Sequence, residues 1–143
     1  MNERLKNILI EIDFKDRFDT LFEKHSHRDL FKKADPSEVQ RIVEKLGYQC
    51  VFHASDKFFK IDGVRPDISL NMSTDLGIVE FILDAIVDGE GTGGSFGYMS
   101  TFIEHEDRIK KPRFATYEEL EEILIEGFGI YEDIKKGLLA SQA

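Results

Sequence analysis

The 143-residue chain has a single cysteine, Cys50, which leaves no intramolecular disulfide to staple the fold. Cys50 falls in the apolar run 48–52, where a buried, inert thiol is expected rather than a reactive one. No stretch approaches the roughly 18 apolar residues of a membrane span. The chain opens Met-Asn-Glu-Arg, without an apolar signal core, so the expected location is the cytoplasm, with no membrane partner. Bases are scarce in one region above all. Residues 62–107 carry ten Asp and Glu against one base, Arg65, whereas residues 1–47 carry ten of each sign.

That imbalance accounts for the formal net charge of −9. An acidic central segment would repel phosphates, which argues against direct nucleic-acid binding. A basic protein partner would be attracted and steered instead. The same acids could equally serve only to keep a sheet face solvated. Hydrophobic residues at 41% and charged residues at 33% suit a folded chain rather than a disordered one. At this length a single domain with its own core is expected.

Apolar periodicity assigns the elements. Leu5, Ile8, Leu9 and Ile12 recur at helical spacing, as do Phe14, Phe18, Leu21 and Phe22. The phase slips near Asp13, giving either two short helices or one bent helix. Asp35-Pro36-Ser37-Glu38 reads as a capping box that opens a helix over 36–46, buried along Val39, Ile42, Val43 and Leu46 and stopped by Gly47. From 48 to about 105 the texture is β-like, with candidate strands at 48–54, 57–62, 67–72, 78–87 and 96–104. Turns are expected at Asp62-Gly63 and Asp88-Gly89. The run 78–87 also fits a helical stripe, but its β-branched content and its apolar row Val79, Phe81, Leu83, Ala85, Val87 favour a strand. A second capping box, Thr116-Tyr117-Glu118-Glu119, opens a long C-terminal helix, which Gly127 and Gly129 should weaken or bend. The order predicts an α+β fold, an antiparallel sheet of about five strands with helices packed on one face.

Motifs for chemistry are thin. Gly89-Glu90-Gly91-Thr92-Gly93-Gly94 matches a dinucleotide fingerprint, but that site needs a helix directly afterwards. Residues 96–104 read as a strand, and Asp88 and Glu90 would repel phosphate, so 89–97 reads as a hairpin loop. His25 and His27 lie two apart beside Lys24 and Arg28, and on a helix would diverge. Cys50 and His53 fall on opposite faces of a strand. His105 among Glu104, Glu106 and Asp107 could hold a hard cation loosely or simply form a solvated turn. Ser26, Ser95 and Ser100 lack a nucleophile elbow. Glu118, Glu119, Glu121, Glu122 and Glu126 line the outer side of the last helix as a solvated face. No catalytic residue, cofactor or metal is assigned.

Two segments carry a resemblance. Val87-Asp88-Gly89-Glu90 leading into Gly93-Gly94-Ser95-Phe96, and Tyr131-Glu132-Asp133-Ile134-Lys135, are similar to motifs of small bacterial immunity-type proteins of polymorphic and contact-dependent toxin systems. The similarity spans residues 78–139, with Ser95 standing where that group has proline. It implies a cytosolic protein that binds and blocks a cognate toxin domain. Against a basic toxin, Asp84, Asp88, Glu90, Glu104 and Glu106 are the candidate contacts, with Phe96 and Tyr98 as aromatic anchors. The alternatives are a regulatory interaction module, possibly a homodimer joined at a sheet edge, and a small ligand-binding protein built on the loop 89–97.

Overall fold

A single left-handed residue divides the first helical stretch. Asp13, at φ 56° and ψ 39°, separates α1 (Glu3–Glu11) from α2 (Phe14–Lys24), so the phase slip marks a break between two helices. The computed structural model describes residues 1–26, 29, 31, 33–62 and 65–141; His27, Arg28 and the Gly63 half of the Asp62-Gly63 turn lie outside them. Asn2 caps α1, its side-chain oxygen accepting the Arg4 and Leu5 N–H groups. Helix α3 (Pro36–Lys45) is capped by Asp35, which accepts from Ser37 N–H at 2.9 Å. The reciprocal half of the expected box is absent among the described residues. Asp35 N–H donates instead to the Tyr117 hydroxyl at 3.0 Å, and Glu38 pairs with Arg41.

The sheet is antiparallel throughout, in the order β1 (Val51–His53), β2 (Phe58–Asp62), β3 (Ile68–Ser73), β4 (Glu80–Val87) and β5 (Glu90–Ser95). Pairing of Met72 with Phe81, Leu70 with Leu83 and Ile68 with Ala85 aligns the buried rows of β3 and β4. The run 78–87 is therefore a strand, and its odd-numbered residues face the helices.

Two expectations fail just beyond it. The stretch read as a loop, 89–97, is mostly strand β5, and the run 96–104 read as a strand is helix α4 (Phe96–Ile103). The cause is the turn. Asp88 at φ 55° and Gly89 at φ 78° place Val87 opposite Glu90, the two-residue hairpin in which both central residues are left-handed. The returning chain pairs at once, so the glycines themselves become the strand. Ser95 then accepts the Tyr98 N–H at 3.2 Å and starts α4. Within α4, Phe96, Met99 and Ser100 turn inward while Tyr98 and Phe102 turn out.

Helix α5 (Tyr117–Ser141) runs 25 residues through Gly127, Gly129 and Gly137. Thr116 caps it as expected, Oγ1 accepting from Glu119 N–H, while the reciprocal half reaches one residue earlier, Glu119 Oε1 accepting from Ala115 N–H. Two of its glycines are contact points. A Cβ at 127 would overlap the Phe81 ring, and one at 137 would sit 2.8 Å from Ile8 Cγ2. Between sheet and helices, Phe96 meets Phe14 at 5.3 Å, Phe18 at 6.1 Å and Phe81 at 5.2 Å between ring centroids. Burying each such ring contributes about 1.5–3 kcal/mol. Phe96, 1% exposed, belongs to this cluster and has no surface to offer a partner.

Candidate partner-binding face

Among the described residues, no helix packs on the other face of the sheet. Because β4 alternates, Ile82, Asp84 and Ile86 point away from the core, opposite Asn71 and Ser69 on β3 and Ser95, Gly93 and Gly91 on β5. Three glycines in β5 leave a trough between the β4 side chains and α4. This open trough measures about 530 Å³, and Asn71, Ile82, Asp84, Tyr98 and Phe102 are among the residues that line it. Two apolar side chains of its lining are open to solvent, Tyr98 at 45% and Phe102 at 39%, and Ile86, two residues from Asp84 on the same row of β4, is 47% exposed. The two rings pack edge to face, 4.8 Å between centroids. Phe102 escaped the sequence reading because 96–104 was taken as a strand, and Ile86 because no local signal tells which side of the sheet is uncovered. Tyr98 and Phe102 are four apart, and helical phase would have put them together.

The structure scatters the remaining candidates. Asp84 is exposed on the outer row of β4, and Asp88 sits at the hairpin tip paired with Arg4. Glu90 accepts from Asn2 Nδ2 at 3.0 Å. Glu104 ends α4 in solvent. Glu106 turns away into a network with Lys15, Lys110 and Asp19 that ties the segment after α4 to α2. The Lys15 hydrogen bond holds the Glu106 carboxyl below its ordinary value, against desolvation. For Lys15 itself desolvation opposes the charge, but its bonds to Glu106 and Asp19 prevail and raise its pKa.

The acidic run is thus less bare than its sequence implies. Asp62 meets Lys135 at 3.0 Å, Asp67 meets Arg65 at 2.9 Å and Glu80 meets Lys111 at 2.8 Å. Asp107 lies 3.3 Å from His105. Among the described residues of the run, only Asp75, Asp84, Glu90 and Glu104 have no ion pair. Apart from Arg65 and His105, the pairing bases lie outside the run, where a local count does not see them.

A polar cluster that sequence reasoning missed joins β2 to α5. Asp62 accepts from the Tyr131 hydroxyl at 2.9 Å and from Lys135 at 3.0 Å, and Glu132 accepts from Tyr48 at 2.8 Å. Burial first, then these carboxylates, push both phenols above their ordinary pKa. The nearby Cys50 thiol is buried and pushed up to about 11 by desolvation, then by Glu44. These groups bond to one another, which suits a structural clasp.

His25 is buried, with Nδ1 3.8 Å from Glu119 and Nε2 3.8 Å from Glu122. The carboxylates approach different ring nitrogens, so they cannot share one metal with it. Among the described residues no group of three or more His, Cys, Asp or Glu is placed to hold a metal ion.

A helix does follow the glycine-rich segment, which removes one reason for setting nucleotide binding aside. Another takes its place. The β5 glycines pair antiparallel with β4, and Ser95 occupies the Tyr98 amide. A Cβ at Gly97 would lie 2.8 Å from Ile109 Cγ2, so the segment 109–110 closes over the start of α4. No helix of the described residues is long and apolar enough to cross a membrane. No family model, no curated protein and no solved structure matches the chain.

Proposed function

We propose that the chain is a binding protein, not an enzyme, that neutralises a basic cognate toxin domain in the cytoplasm by seating it on the uncovered face of the sheet. One observation carries this reading: the exposed Tyr98 and Phe102 line one trough with Asp84, which has no ion pair among the described residues, and Ile86 is exposed on the same row of β4. Proteins that act alone rarely leave aromatic and aliphatic side chains grouped in water. Aromatic anchors beside a few charges are what binding hot spots contain. The similarity of residues 78–139 to immunity-type proteins points to the same use, and the hairpin and α4 that form this face lie within that span. The inward polar clusters, already bonded among themselves, favour binding over catalysis.

The test is co-expression with a toxin domain encoded immediately beside the gene for this chain. The native chain is expected to restore growth. The double variant Tyr98→Ser/Phe102→Ser, folded by circular dichroism, is expected to lose that protection. Failure of the native chain to protect, or full protection by the variant, contradicts the proposal.

A further inference from the structure

The trough beside β5 has a more specific chemistry than an apolar patch. Its lining includes one charged side chain, Asp84, and no basic side chain; Met1 also lines it. Asp84 pairs across the sheet with Gly93, whose φ of 116° disfavours any side chain and whose Cβ would lie 2.9 Å from the Leu83 carbonyl carbon. No β5 side chain therefore stands opposite the carboxylate. Beyond it the Tyr98 ring lies over Gly94, where a Cβ would be 3.1 Å from Cδ1, and Phe102 braces that ring edge to face. Asn71, diagonal to Asp84 on β3, has a buried amide oxygen with no hydrogen-bond partner among the described residues. The face's own cation, Lys60, stands opposite Asn71 on β2, a strand farther away, and makes no ion pair with Asp84 among the described residues.

We infer that this trough is a guanidinium site that takes an arginine side chain of the protein partner. A carboxylate beside an aromatic face is the complement of a planar group that carries only donors. Guanidinium can stack on Tyr98 while forking towards Asp84. A lysine ammonium, compact and strongly hydrated, matches only the carboxylate. The inference rests on the binding-face reading above and names the residue that the face recognises.

The test uses the whole isotope-labelled chain, titrated by NMR with N-acetyl-arginine amide, and in parallel with the lysine and citrulline analogues. Saturable shifts are expected at the Asp84, Gly93, Gly94 and Tyr98 amides, with half-saturation at about 1–10 mM. The lysine analogue should bind at least about threefold more weakly, and neutral citrulline should give no saturable shift. Asp84→Asn, an exposed and nearly isosteric change, should abolish the arginine response. Absence of saturation, equal response to citrulline, or an unchanged response in Asp84→Asn overturns the inference. A toxin complex that survives Asp84→Asn but not Tyr98→Ser/Phe102→Ser also overturns it, while leaving the binding face in place. Loss of the complex in both supports it.

Discussion

The Phe81 ring fills the place where a side chain on residue 127 would begin. A Cβ there would overlap Cζ, and even the farther Cε1 would be 2.7 Å away. This contact lets α5 settle against β4, and it assigns Gly127 a packing role. Gly129, two residues on, faces open space, with only Arg17 Nη2 at 4.0 Å. Gly127→Ala is expected to destabilise the fold by about 1–3 kcal/mol through overpacking. Gly129→Ala should stabilise it by about 0.5–1 kcal/mol through helix propensity. Urea unfolding of the two variants checks this, and equal effects would remove the distinction.

The Glu106 network should make part of the stability depend on acid. Glu106 is held below its ordinary 4.5 by its Lys15 hydrogen bond. A depressed folded-state value contributes stability that is present above the unfolded value and lost as pH falls through the folded one. Glu106→Gln is therefore expected to cost about 1 kcal/mol at neutral pH. That difference should narrow progressively below pH 4.5. Unfolding curves of native and variant chains at pH 7 and pH 3 test the sign. A cost that grows on acidification would contradict it.

Charge reversal should separate surface acids from structural ones. Asp84 and Glu104 have no ion pair among the described residues, so Asp84→Lys/Glu104→Lys should change stability by less than about 0.5 kcal/mol. Asp88 sits at φ 55° and pairs with Arg4. Asp88→Lys should lower the melting temperature measurably, because it loses that pair and places lysine in a left-handed turn. Melting curves decide the point: equal temperatures for all three proteins would deny Asp88 a structural part.

Much of the fold was legible because its signals are local. The Asp35-Pro36 start of α3, the helical phase of α1 and α2, and the buried odd-numbered row of β4 each state their structure within a few residues. The hairpin was half legible. Asp88-Gly89 announced the turn, but glycines are poor strand formers, and the pairing that overrides this lies on β4, outside their own sequence. Treating 96–104 as a strand followed from its aromatic and β-branched content, although Ser95 as a cap and Phe96, Met99 and Ile103 at helical spacing carried the opposite signal. For the site, Asp84 and Tyr98 were visible in the sequence, whereas Phe102 and Ile86 depended on knowing the phase of α4 and the uncovered side of the sheet. The partners of the acids were not legible, since Arg4, Lys15, Lys111 and Lys135 reach them across the fold.

Hydrogen–deuterium exchange of the chain, free and bound to the toxin domain encoded beside it, addresses the binding face most directly. Amide protection on binding is expected across β4, β5 and α4, centred on residues 82–86 and 91–102, with α3 and the outer side of α5 unchanged. Protection confined to α3 and α5, with β5 and α4 exchanging as in the free chain, would contradict a partner seated on the open sheet.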